Sequence, residues 1–561
     1  MRNKLTVRFL VLVMIVMVVL SACSNVANDK DNNVASNSEN TGDSDQPVDS
    51  GVGGPAVDGD TLVVAAVDIP NTIDPEFDVQ DQVGVASVHS TLVEYKYVDA
   101  EGGYRTVDTS YAVEPMLAEK FEASADGLTY SFTLRKGVKS KDGNELTTED
   151  IKYTWERQFA VKSMGLVNSS LWGMTDINQL RIIDEYQFEI TIAQPIPYVL
   201  QDMAIGHLAI LDSKTVKANS TTKDPWGTKY VATNNAGFGP YYVEEMKPGQ
   251  QMILVSNPDW YEGEPAIKKI IYKSVPDSAN RLQLLLTGDV DVALGLSLQQ
   301  LEEVRKHEEL KVVDVLPSNL WVNMYLNNGI APFDNVKVRQ AISYAVPYDE
   351  IMSTVYYGKA SPGRGPLSDF SPDYDPSAWA YDTDLDRAKA LLKEAGFEQG
   401  IETTLYVNSG EPETLEIAVL VQSELKKIGV NISIEKVPSG VFGEGKNAKK
   451  WPMLIDKNYS IVDTAAFNLP LFWGEGSLLN WADWGKSGYG DYPFWEQVQS
   501  VLHSNDPETQ AKVWKEAQAN VISEASAVFI AYPGYHLGMK KELEGFTWHP
   551  DNHLRFRFFE W

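Results

Sequence analysis

From Leu62 onward the chain alternates between short two-fold and helical patterns of apolar residues. Leu62 to Val67 is an unbroken apolar run of strand length, and the segment from Pro70 to Pro75 reads as a turn. Leu128, Tyr130, Phe132 and Leu134 alternate with Thr129, Ser131 and Thr133, the period of a half-buried strand. Phe188 to Ile192 repeats that alternation. Between 383 and 395, Leu385, Ala388, Leu391, Leu392 and Ala395 line one face of a predicted helix, with Gly396 placed to end it. A second helix is expected from Leu415 to Ile428, stopping at Gly429 and feeding a strand at Val430 to Ile434. Helices and strands mix throughout without a fixed-period repeat, so the class is α/β or α+β with several lobes.

The first sixty residues read differently. Arg2, Lys4 and Arg8 precede an apolar run from Phe9 to Leu20, too short to cross a bilayer of ~30 Å and suited to the core of an export signal. The run ends in Leu20-Ser21-Ala22-Cys23, which resembles a bacterial lipobox whose cysteine is lipidated after cleavage; a buried helix or an uncleaved anchor is the competing reading. Cys23 is the one cysteine of the chain, which excludes internal disulfides and Cys-rich zinc sites. Ser24 to about Asp60 is rich in Asn, Asp, Ser and Gly and is expected to be a disordered tether. The formal net charge of the 561-residue chain is −30. Loss of residues 1–22 leaves 45 basic against 78 acidic residues, a net charge of −33, which disfavours nucleic acid as a partner.

Catalytic signatures are mostly missing. There is no G-x-S-x-G elbow, and His307-Glu308-Glu309-Leu310-Lys311 places Lys311 where a zinc helix needs its second histidine. His549 and His553 are four apart, but Pro550 between them argues against a helical metal pair. Gly440 to Lys446 matches the G-x-x-x-x-G-K frame after a strand, yet Asn447 replaces the magnesium-binding hydroxyl and no apolar-periodic helix follows. Asp382 to Asp386 hints at a calcium loop but carries Arg387 at the turn; a helix N-terminal charge cluster is the simpler reading. No cofactor or metal is expected. Trp473, Trp481, Trp484, Tyr489, Tyr492, Phe494 and Trp495 crowd one stretch among Asn480, Asp483 and Asp491. That composition suits either a core or a polar-aromatic ligand cleft.

An ordered series of blocks then resembles one family. Thr72-Ile73-Asp74-Pro75, the run Glu114 to Phe121 with Ala125 to Val138, Asp142-Gly143 and Thr148-Glu149-Asp150 come first. Gly237 to Tyr241, Asn257 to Tyr261, Gly288 to Asp291, Pro332 to Asp334, Val338 to Ile342 and Ala388 to Leu392 follow in order. From Leu62 to the C-terminus the chain is similar to the extracytoplasmic solute-binding proteins of ABC importers, in the peptide/nickel-binding (family 5) group. The resemblance implies an α/β, two-lobed periplasmic-binding-protein-like fold of the class II type. The first lobe would be 61–317 with an inserted subdomain at about 86–204, the second 318–520, with 521–561 returning to the first. Crossover strands are expected near Leu320 to Leu326 and Val528 to Tyr532, with hinge closure over the ligand.

The same resemblance implies a lipid-anchored, extracytoplasmic monomer that captures a peptide-like solute and passes it to an ABC permease and ATPase complex, without catalysis. Peptide binders of the family pair a carboxylate from a Trp-x-x-Asp-like segment with the ligand's amino terminus. Here Met453-Leu454-Ile455-Asp456 lacks the Trp, so Asp456 or the downstream Asp463 would serve. Further departures are Pro347 after Val346 and Asn335 after Asp334. The expected ligand-binding residues are Gln80 and Asp81 in the first lobe, and Asn408, Asp456, Asp463, Trp473 and Trp481 in the second. An oligosaccharide stacked on the tryptophans, a carboxylate-dependent hydrolase and a signalling lipoprotein remain alternatives.

Overall fold

The computed structural model describes residues 59–77, 83–477, 479–485, 494–504 and 506–561. Cys23 and its signal, nearly all of the tether, Gln80, Asp81, Tyr489 and Tyr492 lie outside the described residues.

Two central sheets divide the chain. The first has seven strands in the order Tyr241–Lys247, Gln251–Ser256, Lys269–Ser274, Thr61–Ala66, Val292–Ala293, Tyr535–Lys540 and Leu310–Val315. Thr61–Ala66 runs parallel to Lys269–Ser274, Leu62 opposite Ile270 and Val64 opposite Tyr272. The second has six strands in the order Ala360–Pro362, Ala527–Pro533, Leu320–Leu326, Met453–Tyr459, Ile401–Asn408 and Val430–Val437. Both Leu320–Leu326 and Ala527–Pro533 are buried at every residue, as expected of central strands covered on both faces. A four-stranded antiparallel sheet, Ala118–Ala123, Thr129–Leu134, Gln187–Thr191 and Leu180–Ile182, forms a subdomain beside the first. Its core pairs Phe132 with Phe188, rings stacked 5.0 Å apart, under Trp155.

The chain crosses between the sheets twice, from Val315 to Leu320 and from Pro533 to Tyr535. The Ser318 hydroxyl donates to the Pro533 carbonyl at 2.7 Å, so the crossovers lie side by side. The boundary expected at 520 falls inside the helix Pro507–Ser523, and the next strand, Ala527–Pro533, still pairs with Leu320–Leu326. The return therefore runs through Gly534, because the second sheet needs that strand to cover its centre.

Local patterns are realised closely. The helix expected over 383–395 spans Leu385–Glu394, begun by the Asp384 carboxylate accepting from the Arg387 amide at 2.8 Å, which explains the acidic cluster without calcium. Gly440 to Lys446 differs: it lies within a helix, Ser439–Asn447, not a phosphate loop. Phe442 is buried on that helix against Trp451, and the Lys446 ammonium sits over the Trp481 ring. Packing of this i, i+4 face overrides the poor helix propensity of three glycines. Arg339 is held by the Phe333, Glu524 and Ala525 carbonyls and pairs with Glu524 at 3.5 Å.

Candidate functional site

The boundary between the lobes is assembled from a few contacts. From the first lobe, the Tyr95 hydroxyl reaches the Ile461 carbonyl at 3.5 Å, and Tyr198 meets Phe467 edge-on at 5.2 Å. The Phe370 ring of the second lobe fits between Tyr111, 6.1 Å away, and Trp548, 5.0 Å away. Beside the crossover, the wholly buried Asn319 amide donates to the carbonyls of Ser460 (2.6 Å) and Pro550 (2.5 Å), one from each lobe.

Asp463 lies in the middle of this boundary, just ahead of the helix Ala465–Trp473. Its side chain is wholly buried. The Ser368 hydroxyl and the Asn468 amide (2.5 Å) donate to it, and no cation pairs with it among the described residues. Burial pushes its pKa up to about 8, with Asp373 and Asp369 adding to the rise against the Ser368 and Asn468 hydrogen bonds. The Asp373 carboxylate accepts the Ala465 amide at 2.7 Å and so caps the same helix. Tyr111 is wholly buried beside it, and burial followed by the Asp463 charge raises its pKa well above the usual phenol range, against a hydrogen bond from the Asp463 backbone. Ionising a carboxyl so buried without a counter-ion is costly.

Asp456 is built otherwise. It stands opposite Asn323 on the second sheet, and Lys446 Nζ lies 2.7 Å from its carboxylate. That ammonium is also 3.9 Å from the Trp481 ring centre. Burial raises the Asp456 pKa while Lys446 lowers it. The carboxylate already has the cation it needs.

The tryptophans belong to the same packed face. Trp473 is 1% exposed, 5.6 Å from Phe529 and 6.5 Å from Tyr325. Trp481 is 4% exposed, edge-on to Tyr325 at 5.5 Å, with its indole N–H donating to Asn447 at 3.2 Å. Trp484 packs on Phe494 at 4.9 Å. Neighbouring side chains therefore cover these rings, leaving no open stacking platform. Asn408, at the end of its strand, accepts the Gly410 amide (3.0 Å) and the Ser439 hydroxyl (2.9 Å), which shapes the following turn.

His549 and His553 flank Asp551: His549 Nδ1 is 2.9 Å from the carboxylate, which also binds Arg555 at 2.6 Å. Among the described residues no group of three His, Cys, Asp or Glu is placed to hold a metal ion. His549, Asp551 and Arg555 line a cavity of about 50 Å³ with Glu94, Tyr97 and Arg557 inside the first lobe, room for a few waters. Sequence reasoning missed Tyr111, Ser368 and Asn319. Tyr111 precedes a recognised block by three residues, whereas nothing in the sequence ties Ser368 to a carboxylate 95 positions away.

Two lobes joined by paired crossovers meet at a buried polar boundary, the architecture of a two-lobed solute-binding protein. A family profile for bacterial extracellular solute-binding proteins, family 5 (middle region), matches residues 112–479, and the chain belongs to that family. It is 28% identical over 497 residues to the probable D,D-dipeptide-binding periplasmic protein DdpA of Escherichia coli (strain K12), covering 88% of this chain and 93% of that one. Among solved structures it resembles the ABC transporter-associated periplasmic binding protein DppA of Helicobacter pylori in complex with the peptide STSA. The TM-score is 0.74 at 23% identity, over 89% of this chain and 98% of that one. NikZ of Campylobacter jejuni in complex with Ni(L-His) gives a TM-score of 0.74 at 22% identity, over 90% and 100% of the two chains. The two-lobed fold and the extracytoplasmic solute-binding class follow. No helix among the described residues is long and apolar enough to cross a membrane.

Proposed function

We propose that this chain captures a short peptide-like solute by its amino terminus, with Asp463 as the carboxylate that receives the ammonium. The observation that carries this reading is the buried Asp463 carboxyl, supplied with hydrogen-bond donors but no cation among the described residues. An arriving ammonium lets it ionise, and the resulting charge-assisted contact forms between the lobes, where it favours the closed state. Relatives named for dipeptide binding support the ligand class. The covered faces of Trp473 and Trp481 weigh against a stacked oligosaccharide.

Delivery to an ABC permease and attachment to the membrane through a lipid on Cys23 complete the reading. The test is calorimetric titration of the protein with dipeptides and with their N-acetylated forms. Free dipeptides should bind and acetylated ones should not, and Asp463→Asn should weaken binding by ~1.5–3 kcal/mol. Equal binding of acetylated and free peptides would overturn the assignment.

A further inference from the structure

Asp463 belongs to a closed circuit of contacts that runs through both lobes and the link between them. In the second lobe the Ser368 hydroxyl donates to Asp463 and accepts the Phe370 amide at 3.2 Å, a serine turn that fixes where Phe370 leaves the chain. The Phe370 ring meets the first lobe, edge-on to Trp548 at 5.0 Å and to Tyr111 at 6.1 Å. The Trp548 indole N–H donates to Asn552 Oδ1 at 2.9 Å, and the Asn552 amide donates to Asn319 Oδ1 at 3.3 Å in the link. Asn319 donates to the Ser460 carbonyl at 2.6 Å, the Ser460 hydroxyl to Asn468 Oδ1 at 2.6 Å, and the Asn468 amide returns to Asp463 at 2.5 Å. All of these residues except Asn552 are buried.

The circuit passes between the lobes at Asn319 and at Phe370, and the two passages differ in kind. Asn319 is part of the covalent link and stays with it in any relative orientation of the lobes. Phe370 is held across the boundary by packing alone, so its ring leaves Tyr111 and Trp548 when the lobes part. A ring buried between two rings of the opposite surface is the sort of contact that dominates an interface. At the other end of the turn, an ammonium that lets Asp463 ionise makes the Ser368 hydrogen bond charge-assisted. Hydrogen bonds in a chain polarise one another, so the same hydroxyl then holds the Phe370 amide more firmly. Solute capture thereby strengthens the turn that seats the ring.

We propose that Ser368 and Phe370 are positioning residues that couple capture at Asp463 to closure of the lobes: the Phe370 ring holds the lobes together, and Ser368 ties its turn to the carboxylate. The proposal deepens the amine-capture reading and rests on it. Its test uses alanyl-alanine, with affinity read by calorimetric titration and closure by the radius of gyration from small-angle X-ray scattering. Saturating dipeptide should contract the wild-type protein. Phe370→Ala should bind at least about tenfold more weakly and contract less when saturated. Phe370→Leu, which keeps most of the apolar volume, should show both changes in smaller measure and serves if the alanine variant does not fold. Ser368→Ala should weaken binding, by a factor at least about threefold smaller when Phe370 is already replaced. Phe370 variants that bind and contract as the wild type does, or a Ser368→Ala cost that is the same with and without Phe370, would overturn this proposal alone. Absence of alanyl-alanine binding by the wild-type protein would overturn the amine-capture reading and this proposal with it.

Discussion

Asp456 and Asp463 are seven positions apart, both buried and both raised in pKa, yet they do opposite things in the fold. Asp456 forms half of an internal ion pair with Lys446, whose ammonium also lies on the Trp481 ring. Removing one partner of such a pair leaves a desolvated charge behind. Lys446→Met should therefore destabilise the protein by ~3–5 kcal/mol, read from urea unfolding midpoints. Lys446→Met combined with Asp456→Asn should recover much of that loss, and a double variant as unstable as the single one would refute the pairing argument. The sequence cannot tell these aspartates apart, because the choice depends on a lysine ten residues away that becomes a neighbour only when Gly440 to Lys446 winds into a helix. The Gly-rich frame points away from that helix. Gly445 is there because an added Cβ would lie 2.1 Å from the Trp451 ring.

Elements with a repeating pattern were legible to within a residue or two: Thr61–Ala66, Thr129–Leu134, Gln187–Thr191 and Leu385–Glu394 all lie where alternation or a helical face puts them. What joins the lobes carries no periodicity. Asn319, in the four-residue link Leu316 to Asn319, holds the Ser460 segment, which leads into Asp463, against the C-terminal Pro550. Its Oδ1 accepts from the Asn552 amide at 3.3 Å. Asn319→Ala would leave the Ser460 carbonyl without its donor and the Pro550 carbonyl with only the long contact from the Asn552 amide (3.5 Å), at ~1–3 kcal/mol of stability for an unsatisfied group. Because those carbonyls belong to different lobes, solute affinity should fall together with the unfolding midpoint. A variant with unchanged affinity would show that the clasp does not help to hold the lobes closed. The remaining site residues were illegible for the same reason: Ser368 with Asp463, and Phe370 with Trp548, are tertiary contacts between segments that are featureless by themselves.

At the scale of the whole molecule, buried titratable groups set how stability responds to pH. Glu76, which shares the buried Arg157 with Asp74, is raised by burial to about 8; Asp202, bonded to the Trp172 indole N–H, and Asp463 are raised by burial to the same value. In the unfolded chain all three titrate near 4. Between about 4 and 8 the native state thus holds more protons than the unfolded one, and stability falls as pH rises. His89 and His549 act in the other direction: burial lowers both from 6.5 to about 4, so the native state holds fewer protons over that interval and stability rises with pH. The two trends oppose each other below about 6.5. Above it the histidines are neutral in both states and only the acids continue to titrate. The free protein should therefore lose stability most steeply between about pH 6.5 and 8. Thermal unfolding across that interval measures it, and a midpoint that is flat or rises would contradict the buried-acid account. Asp463→Asn should make the decline shallower. A bound peptide ammonium should do the same, because it lets Asp463 give up its proton without leaving a bare charge in the interior, so a dipeptide should raise the midpoint more at pH 8 than an acetylated control does.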